Sequence, residues 1–300
     1  MPNTPEKWAI QLTKAINQIH KLHGTEQFPV NVREVALEFS KQYYPTSRIS
    51  DVVKSDSLSR GIEGTLQPGD NNEWAIIYRA TGCQGRDNFT VAHELLHYLL
   101  HRDVAPKDGF FCSTEKVENW QFPIDIEREA NRFAAFLLMP FDDFRTQIGN
   151  IPISLELIDH LANRYQVSRT ATMLRWLEGC AKRAKLVYSI DDHISWHYCS
   201  KGLLKSSAYK NPKKVTLPVP EQSLIYTMGG GSSILHPLGV WAEEEEVQEI
   251  SFSYVNNGLK IGVHLLIYPD EAIIDNSSHL CRIFDNDDES MMFDGHKLKW

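Results

Sequence analysis

Phe89-Thr90-Val91-Ala92-His93-Glu94-Leu95-Leu96-His97-Tyr98-Leu99-Leu100 is the stretch on which the reading of this chain turns. It holds His-Glu-x-x-His inside an apolar run compatible with a helix. Residues four apart on a helix share a face, so His93 and His97 can offer two imidazoles to one metal ion. Glu94 sits one residue round, beside the ion's open position. That is the ligand and general-base arrangement of a zinc hydrolase. The pattern also arises by chance in unrelated helices, so context matters. Val91, Ala92, Leu95, Leu96, Leu99 and Leu100 make this helix apolar enough to be buried. Histidines and a glutamate on a buried helix need partners, because unpaired polar groups cost free energy away from water.

A third ligand is required, and several arrangements compete. A metzincin-type continuation puts Gly three residues after the second His and a ligand three residues later. Those positions here are Leu100 and Asp103; Asp103 suits the role, but Leu100 is poor at a sharp bend. His101 lies one turn beyond His97, yet ligands at i, i+4 and i+8 on a straight helix span about 12 Å. Bonds of about 2 Å to one ion cannot bridge that, which makes His101 a surface or indirect partner. The remaining arrangement places Glu on a separate helix. Ile126 to Leu138 carries Ala130, Phe133, Ala134, Leu137 and Leu138 with helical recurrence. Glu127 and Asn131 share a face close to that stripe. Glu127 is preferred over Glu129 as ligand, with Asn131 hydrogen-bonding a ligand histidine. Met139-Pro140 ends this helix.

These residues together resemble the ImmA/IrrE family of zinc metallopeptidases. The resemblance runs from about Phe28 to Glu178. It rests on Phe89 to His97, on Glu127-x-x-Ala130-Asn131-x-Phe133-Ala134, and on Leu137-Leu138-Met139-Pro140. It implies an α+β, zincin-like peptidase domain, zinc as cofactor, His93, His97 and Glu127 as ligands, and Glu94 as base. It also implies a protein substrate, a helix-turn-helix repressor whose cleavage relieves transcription of stress, phage or mobile-element genes. A regulatory binding module with a structural metal site is the alternative. Leu96 stands where many members carry Gly, and the spacing between motifs suggests an inserted loop around Pro106 to Pro123.

Composition bounds the rest. A 300-residue chain with 42% hydrophobic residues suggests two domains, or one with a large extension. The net charge of −8 argues against direct nucleic-acid binding by the whole chain. No apolar run is long enough for a membrane span, and the N-terminus lacks a signal-peptide core; the expectation is a cytoplasmic protein. Cys83, Cys112, Cys180, Cys199 and Cys281 are scattered without Cys-x-x-Cys, so neither a disulfide framework nor a thiolate zinc site is indicated. Cys83, close in sequence to the metal helix, is the one thiol considered as an inhibitory zinc ligand.

Along the chain, Trp8 to Leu22 and Val32 to Phe39 read as helices, the second capped by Asn31. Gly61 to Leu66 and Glu73 to Tyr78 read as a hairpin around Pro68-Gly69-Asp70. Trp74, Ile76 and Tyr78 on its second strand are candidates for binding substrate backbone as an added strand. Asp87 or Asn88 can cap the metal helix; Arg86, Tyr98 and His101 are weak candidates for stabilising an oxyanion. Ser154 to Glu178 resembles a helix-turn-helix, with Arg164, Arg169 and Arg175 able to meet phosphates, although a packed helical subdomain is the preferred reading. After Arg183, Leu186–Ile190, His193–Cys199, Lys214–Val219, Glu249–Tyr254 and Leu259–Ile267 read as strands. His193, Ser195, His197 and Cys199 alternate with Ile194, Trp196 and Tyr198. A second metal site on that strand is weighed against, and ranked below, a half-buried strand with its large side chains inward. The expected domains are 1–150 (peptidase), 151–183 (helical) and 184–300 (β-rich, a possible sensor or partner-binding domain).

Overall fold

The computed structural model describes residues 2–59, 61–113, 124–209, 217–231, 233–256 and 258–270. The fold is α+β, and its residues divide into two compact units. Among the described residues, one comprises those up to 147 with 161–168; the other comprises those at 148–160 and from 169 to 270. The segment 151–183 is therefore shared between the units.

The first unit opens with α1 (Pro5–His23) and α2 (Val32–Tyr43). Thr4 caps α1 by accepting the Lys7 N–H, and Gly24 closes it in the left-handed conformation. Asn31 caps α2 as expected, accepting from Glu34 N–H. Three strands follow: β1 (Ile49–Ser55), β2 (Ile62–Pro68) and β3 (Trp74–Arg79). Next come α3 (Gln84–Leu96), whose helix continues as a wider π turn over His97–His101, and β4 (Phe110–Ser113). The sheet order is β1-β3-β2-β4. The β2–β3 hairpin is antiparallel, β1–β3 is parallel, and β4 pairs antiparallel with β2.

Two expectations change here. The stretch Pro106 to Pro123, expected as a loop, contains β4, which extends the sheet; residues 114–123 lie outside the described residues. β3, offered as the substrate strand, is an inner strand with β1 on one side and β2 on the other. Its backbone groups are already in ladders, so Trp74, Ile76 and Tyr78 present no free edge, and Ile76 and Tyr78 are buried. Among the described residues the outer strands of this sheet are β1 and β4.

α4 (Ile124–Leu138) and α5 (Phe141–Ile148) complete the helices of this part. Ala130, Phe133, Ala134, Leu137 and Leu138 are all fully buried. Burial of the large ones among them contributes roughly 1.5–3 kcal/mol each before chain entropy is subtracted. α4 ends before Pro140, where proline disfavours further helix.

α6 (Leu155–Tyr165) and α7 (Arg169–Gly179) are joined through Gln166, which has a positive φ of 50°. Each arginine considered for phosphate binding has an internal carboxylate partner. Arg164 meets Asp143 at 2.8 Å, Arg169 meets Asp159 at 2.5 Å, and Arg175 meets Glu178 at 2.7 Å. Arg175 is itself buried.

The second unit also holds β5 (Ala184–Ile190), β6 (His193–Cys199), two short helices α8 (Lys201–Leu204) and α9 (Leu224–Thr227), β7 (Ser233–His236), β8 (Val247–Asn256) and β9 (Leu259–Ile267). They form an antiparallel sheet in the order β6-β5-β9-β8-β7. The strand expected at Lys214–Val219 reduces, within the described residues, to one bridge between Pro218 and His193; residues 210–216 lie outside them. In β6, Trp196 is buried and stacks on Tyr188, but Cys199 is buried as well. A register shift against β5 at Tyr188/Ser189 breaks the simple alternation expected there.

Candidate metal centre

α3 presents His93, Glu94 and His97 on the side that meets α4 and β2. All three are buried, Glu94 and His97 completely. The helix starts with Cys83 at its N-cap position rather than at Asp87 or Asn88. Asp87 lies in the first turn, where its carboxylate accepts the Thr81 backbone N–H at 3.1 Å and hydroxyl at 2.7 Å.

α4 supplies Glu127. Its Oε2 lies 3.1 Å from His93 Nε2, its Oε1 3.4 Å from His97 Nε2, and the two Nε2 atoms are 3.0 Å apart. Donors bonded at about 2.0 Å to a tetrahedral ion stand about 3.3 Å from one another. The two Nε2 atoms and the Glu127 carboxylate therefore already surround a position of the right size for one ion. Two imidazoles and a carboxylate are a donor set that suits zinc.

The hydrogen bonds behind the imidazoles fix their tautomers. His93 Nδ1–H donates to Asn131 Oδ1 at 2.9 Å, leaving a lone pair on Nε2. His101 Nε2–H donates to Glu129 Oε2 at 3.0 Å. His101 Nδ1 is then an acceptor, and His97 Nδ1–H donates to it at 3.0 Å. His97 Nε2 is thus also free to bind a cation. Such outer partners orient ligand histidines and raise their basicity. The π turn carries His101 at its end, and widened turns of this kind concentrate at functional sites.

His101 is consequently buried and stands behind a ligand, the second of the two places expected for it, and Glu129 is its partner while its side chain stays 44% exposed. Asp103 projects away, with its side chain 87% exposed. Tyr98 hydroxyl donates to Ser47 carbonyl at 2.7 Å, so neither Tyr98 nor His101 offers a spare donor for an oxyanion. Arg86 sits in the first turn of α3, two turns before His93.

The charges agree with the geometry. Burial lowers His97 to about 4, keeping it neutral as a ligand must be. Burial opposes ionisation of Glu127, but its contacts with the two imidazoles outweigh burial and hold the carboxyl well below the usual range, and contact with Glu127 in turn raises His93 against its own burial. Burial raises Glu94 to about 7, partly offset by His93. Both Glu94 oxygens are buried without a hydrogen-bond partner of normal geometry. A buried carboxylate left this way costs several kcal/mol, a debt that a cation and water at the centre would relieve.

Two neighbours escaped the sequence reading. Gly64 of β2 has no room for a side chain. A Cβ there would lie 2.5 Å from Thr90 Cγ2 and 2.6 Å from Glu94 Oε1. A glycine inside a predicted strand next to the metal helix was the available signal. Cys112 of β4 joins His93, His97 and Glu127 in a cluster whose ligand atoms all lie within 4.8 Å of one another. It was hidden because its strand lay in a stretch expected to be a loop. Cys83, the thiol considered from sequence, is exposed at the far end of α3. The cluster with Cys112 is the one such donor group among the described residues, so β6 forms no second centre there.

Comparison with known proteins adds to this. Residues 59–177 match a peptidase family model described as the IrrE N-terminal-like domain. The fold is similar to that of a solved Mycobacterium tuberculosis transcriptional regulator, with a TM-score of 0.54 at 14% sequence identity, over 86% of this chain and 76% of that one. No curated protein matches the sequence. No helix among the described residues is long and apolar enough to cross a membrane.

Proposed function

Taking as premise that the chain carries an IrrE N-terminal-like domain and belongs with the ImmA/IrrE family, we propose that it is a zinc-dependent endopeptidase. His93, His97 and Glu127 hold the metal, Asn131 orients His93, and Glu94 is the general base. The observation that carries this reading is the convergence of two imidazole Nε2 atoms and the Glu127 carboxylate on one point beside a buried carboxylate whose oxygens accept no hydrogen bond of normal geometry.

Bound zinc would polarise the scissile carbonyl and lower the pKa of a water beside it. Glu94, the next residue after His93 along α3, takes the proton from the attacking water and delivers it to the leaving amine. Its raised pKa suits both halves of that transfer near neutral pH. Substrate would approach on the β4 side of the sheet, where the cluster lies, rather than along the inner strand β3. By family resemblance the substrate is a protein, a helix-turn-helix transcriptional repressor, and the protein works in the cytoplasm.

A regulatory module with a structural metal site is the second reading, favoured by Cys112, since four protein donors are typical of closed sites. Glu94 weighs against it, because a structural site needs no base.

The test is cleavage of a mixed peptide library, read by mass spectrometry, with zinc-loaded wild type and Glu94→Gln. The wild type should cut, while the variant should keep its zinc and lose at least about 10²-fold in rate. Equal cleavage by both, or none by the wild type, would contradict the proposal.

A further inference from the structure

Cys112 enters the centre from a different direction than the other three donors. In a strand, alternate side chains share a face. Phe110 of β4 stacks on the His97 ring, with centroids 4.8 Å apart and planes 14° from parallel. Cys112, two residues on, therefore points the same way, and its Sγ lies 3.9 Å from Glu127 Oε1. β4 is held at this depth by pairing with β2, where Cys112 stands opposite Gly64. Gly64 is the position without space for a Cβ over Glu94. A bulkier residue there would lift the strand pair and withdraw the thiol. Cys112 has no disulfide.

We propose that Cys112 is a fourth, displaceable protein ligand to the metal held by His93, His97 and Glu127. The proposal rests on the metal reading above. Zinc bonds thiolate at about 2.3 Å and is satisfied by four donors in a tetrahedron. With sulfur bound, the fourth position is filled and the centre is closed. On binding, the S–H bond gives its proton to solvent and the sulfur lone pair forms the bond to the metal. Alkylation of the sulfur by an added electrophile, which takes up the sulfur lone pair and releases the electrophile's leaving group, would vacate the position for water and substrate. The protein then exists in a closed form and an open form that differ in one bond.

Cobalt(II) reports this bond directly, because thiolate coordination gives an intense near-ultraviolet charge-transfer band that nitrogen and oxygen ligands do not. The full-length protein would be loaded with Co²⁺ as wild type, Cys112→Ser and His93→Ala, with circular dichroism confirming the fold of each. The expected result is about one Co²⁺ per chain in wild type with the band, the same stoichiometry in Cys112→Ser without it, and weakened binding in His93→Ala. As a second readout, iodoacetamide should modify Cys112 in the metal-free protein and be excluded in the loaded one. Cobalt bound by the wild type without the band, or with a band that survives Cys112→Ser, overturns the thiolate ligand and leaves the three-ligand centre standing. No cobalt bound by the wild type overturns the metal centre and this proposal together.

Discussion

Glu94 and the two histidines beside it are ordinary residues whose surroundings make them useful. Each histidine has one ring nitrogen engaged by a fixed partner, Asn131 for His93 and His101 for His97, so that the other faces the same point. The chain from Glu129 through His101 to His97 predicts that His101→Phe or Glu129→Ala lowers zinc affinity by about 10–100-fold without abolishing the site. Competition against a calibrated chelator would measure it, and unchanged affinity would mean the relay has no influence on the metal. The direct residues were legible in the sequence because His-Glu-x-x-His and Glu127-x-x-x-Asn131 use helical spacing, which needs no knowledge of the fold. Of the two places spacing allowed His101, at the surface or behind a ligand, the structure takes the second, with Glu129 as a partner that spacing did not supply. Their partnership depends on the widened turn after Leu96 and on the approach of α4, and neither follows from spacing on an ideal helix.

At the scale of elements, the centre is a helix, a second helix and a sheet brought close. β2 lies near α3 because Gly64 presents no side chain to Thr90 and Glu94. Gly64→Val should therefore destabilise the protein by about 1–3 kcal/mol and displace the Glu94 carboxylate. Cleavage should fall more than zinc content does, and chemical denaturation beside metal analysis would show both. A variant as stable and active as wild type would show that the strand can move away freely. The β2–β3 hairpin was readable from alternation around a turn, and α4 from its buried stripe. The position of β3 within the sheet was not. Strand order depends on long-range pairing with β1 and with β4, and no local pattern encodes it. Four residues between Gly109 and Thr114 also make a strand too short to stand out, which concealed both the outer strand and Cys112.

Across the whole molecule, the antiparallel sheet of the second unit is organised around a different buried carboxylate. Glu249 of β8 accepts from Ser223 at 2.7 Å, the Leu224 N–H at 3.1 Å and Trp241 at 2.9 Å. It also meets His264 at 2.8 Å and His236 at 2.6 Å. Burial works against its charge, but His264, Ser223 and Trp241 outweigh burial and hold it at about 2, below its ordinary 4.5. A lowered carboxylate stabilises the fold above the unfolded value and loses that contribution as pH falls. This one group should contribute on the order of 3 kcal/mol above pH 4.5, lost on descending toward pH 2. Thermal unfolding across that range should show the loss in wild type, and Glu249→Gln should flatten it; identical profiles would contradict the assignment. The β-rich character of this unit was legible from alternating strands after Arg183, whereas its polar core was not, since Glu249, His264 and His236 come from three strands. The claim on which all else depends is the metal centre. Metal analysis of purified wild type, His93→Ala and Glu127→Ala tests it most directly. The account predicts about one zinc per chain in wild type, lost or weakened in both variants. Zinc that survives Glu127→Ala undiminished, or a wild type that takes up none, would contradict it.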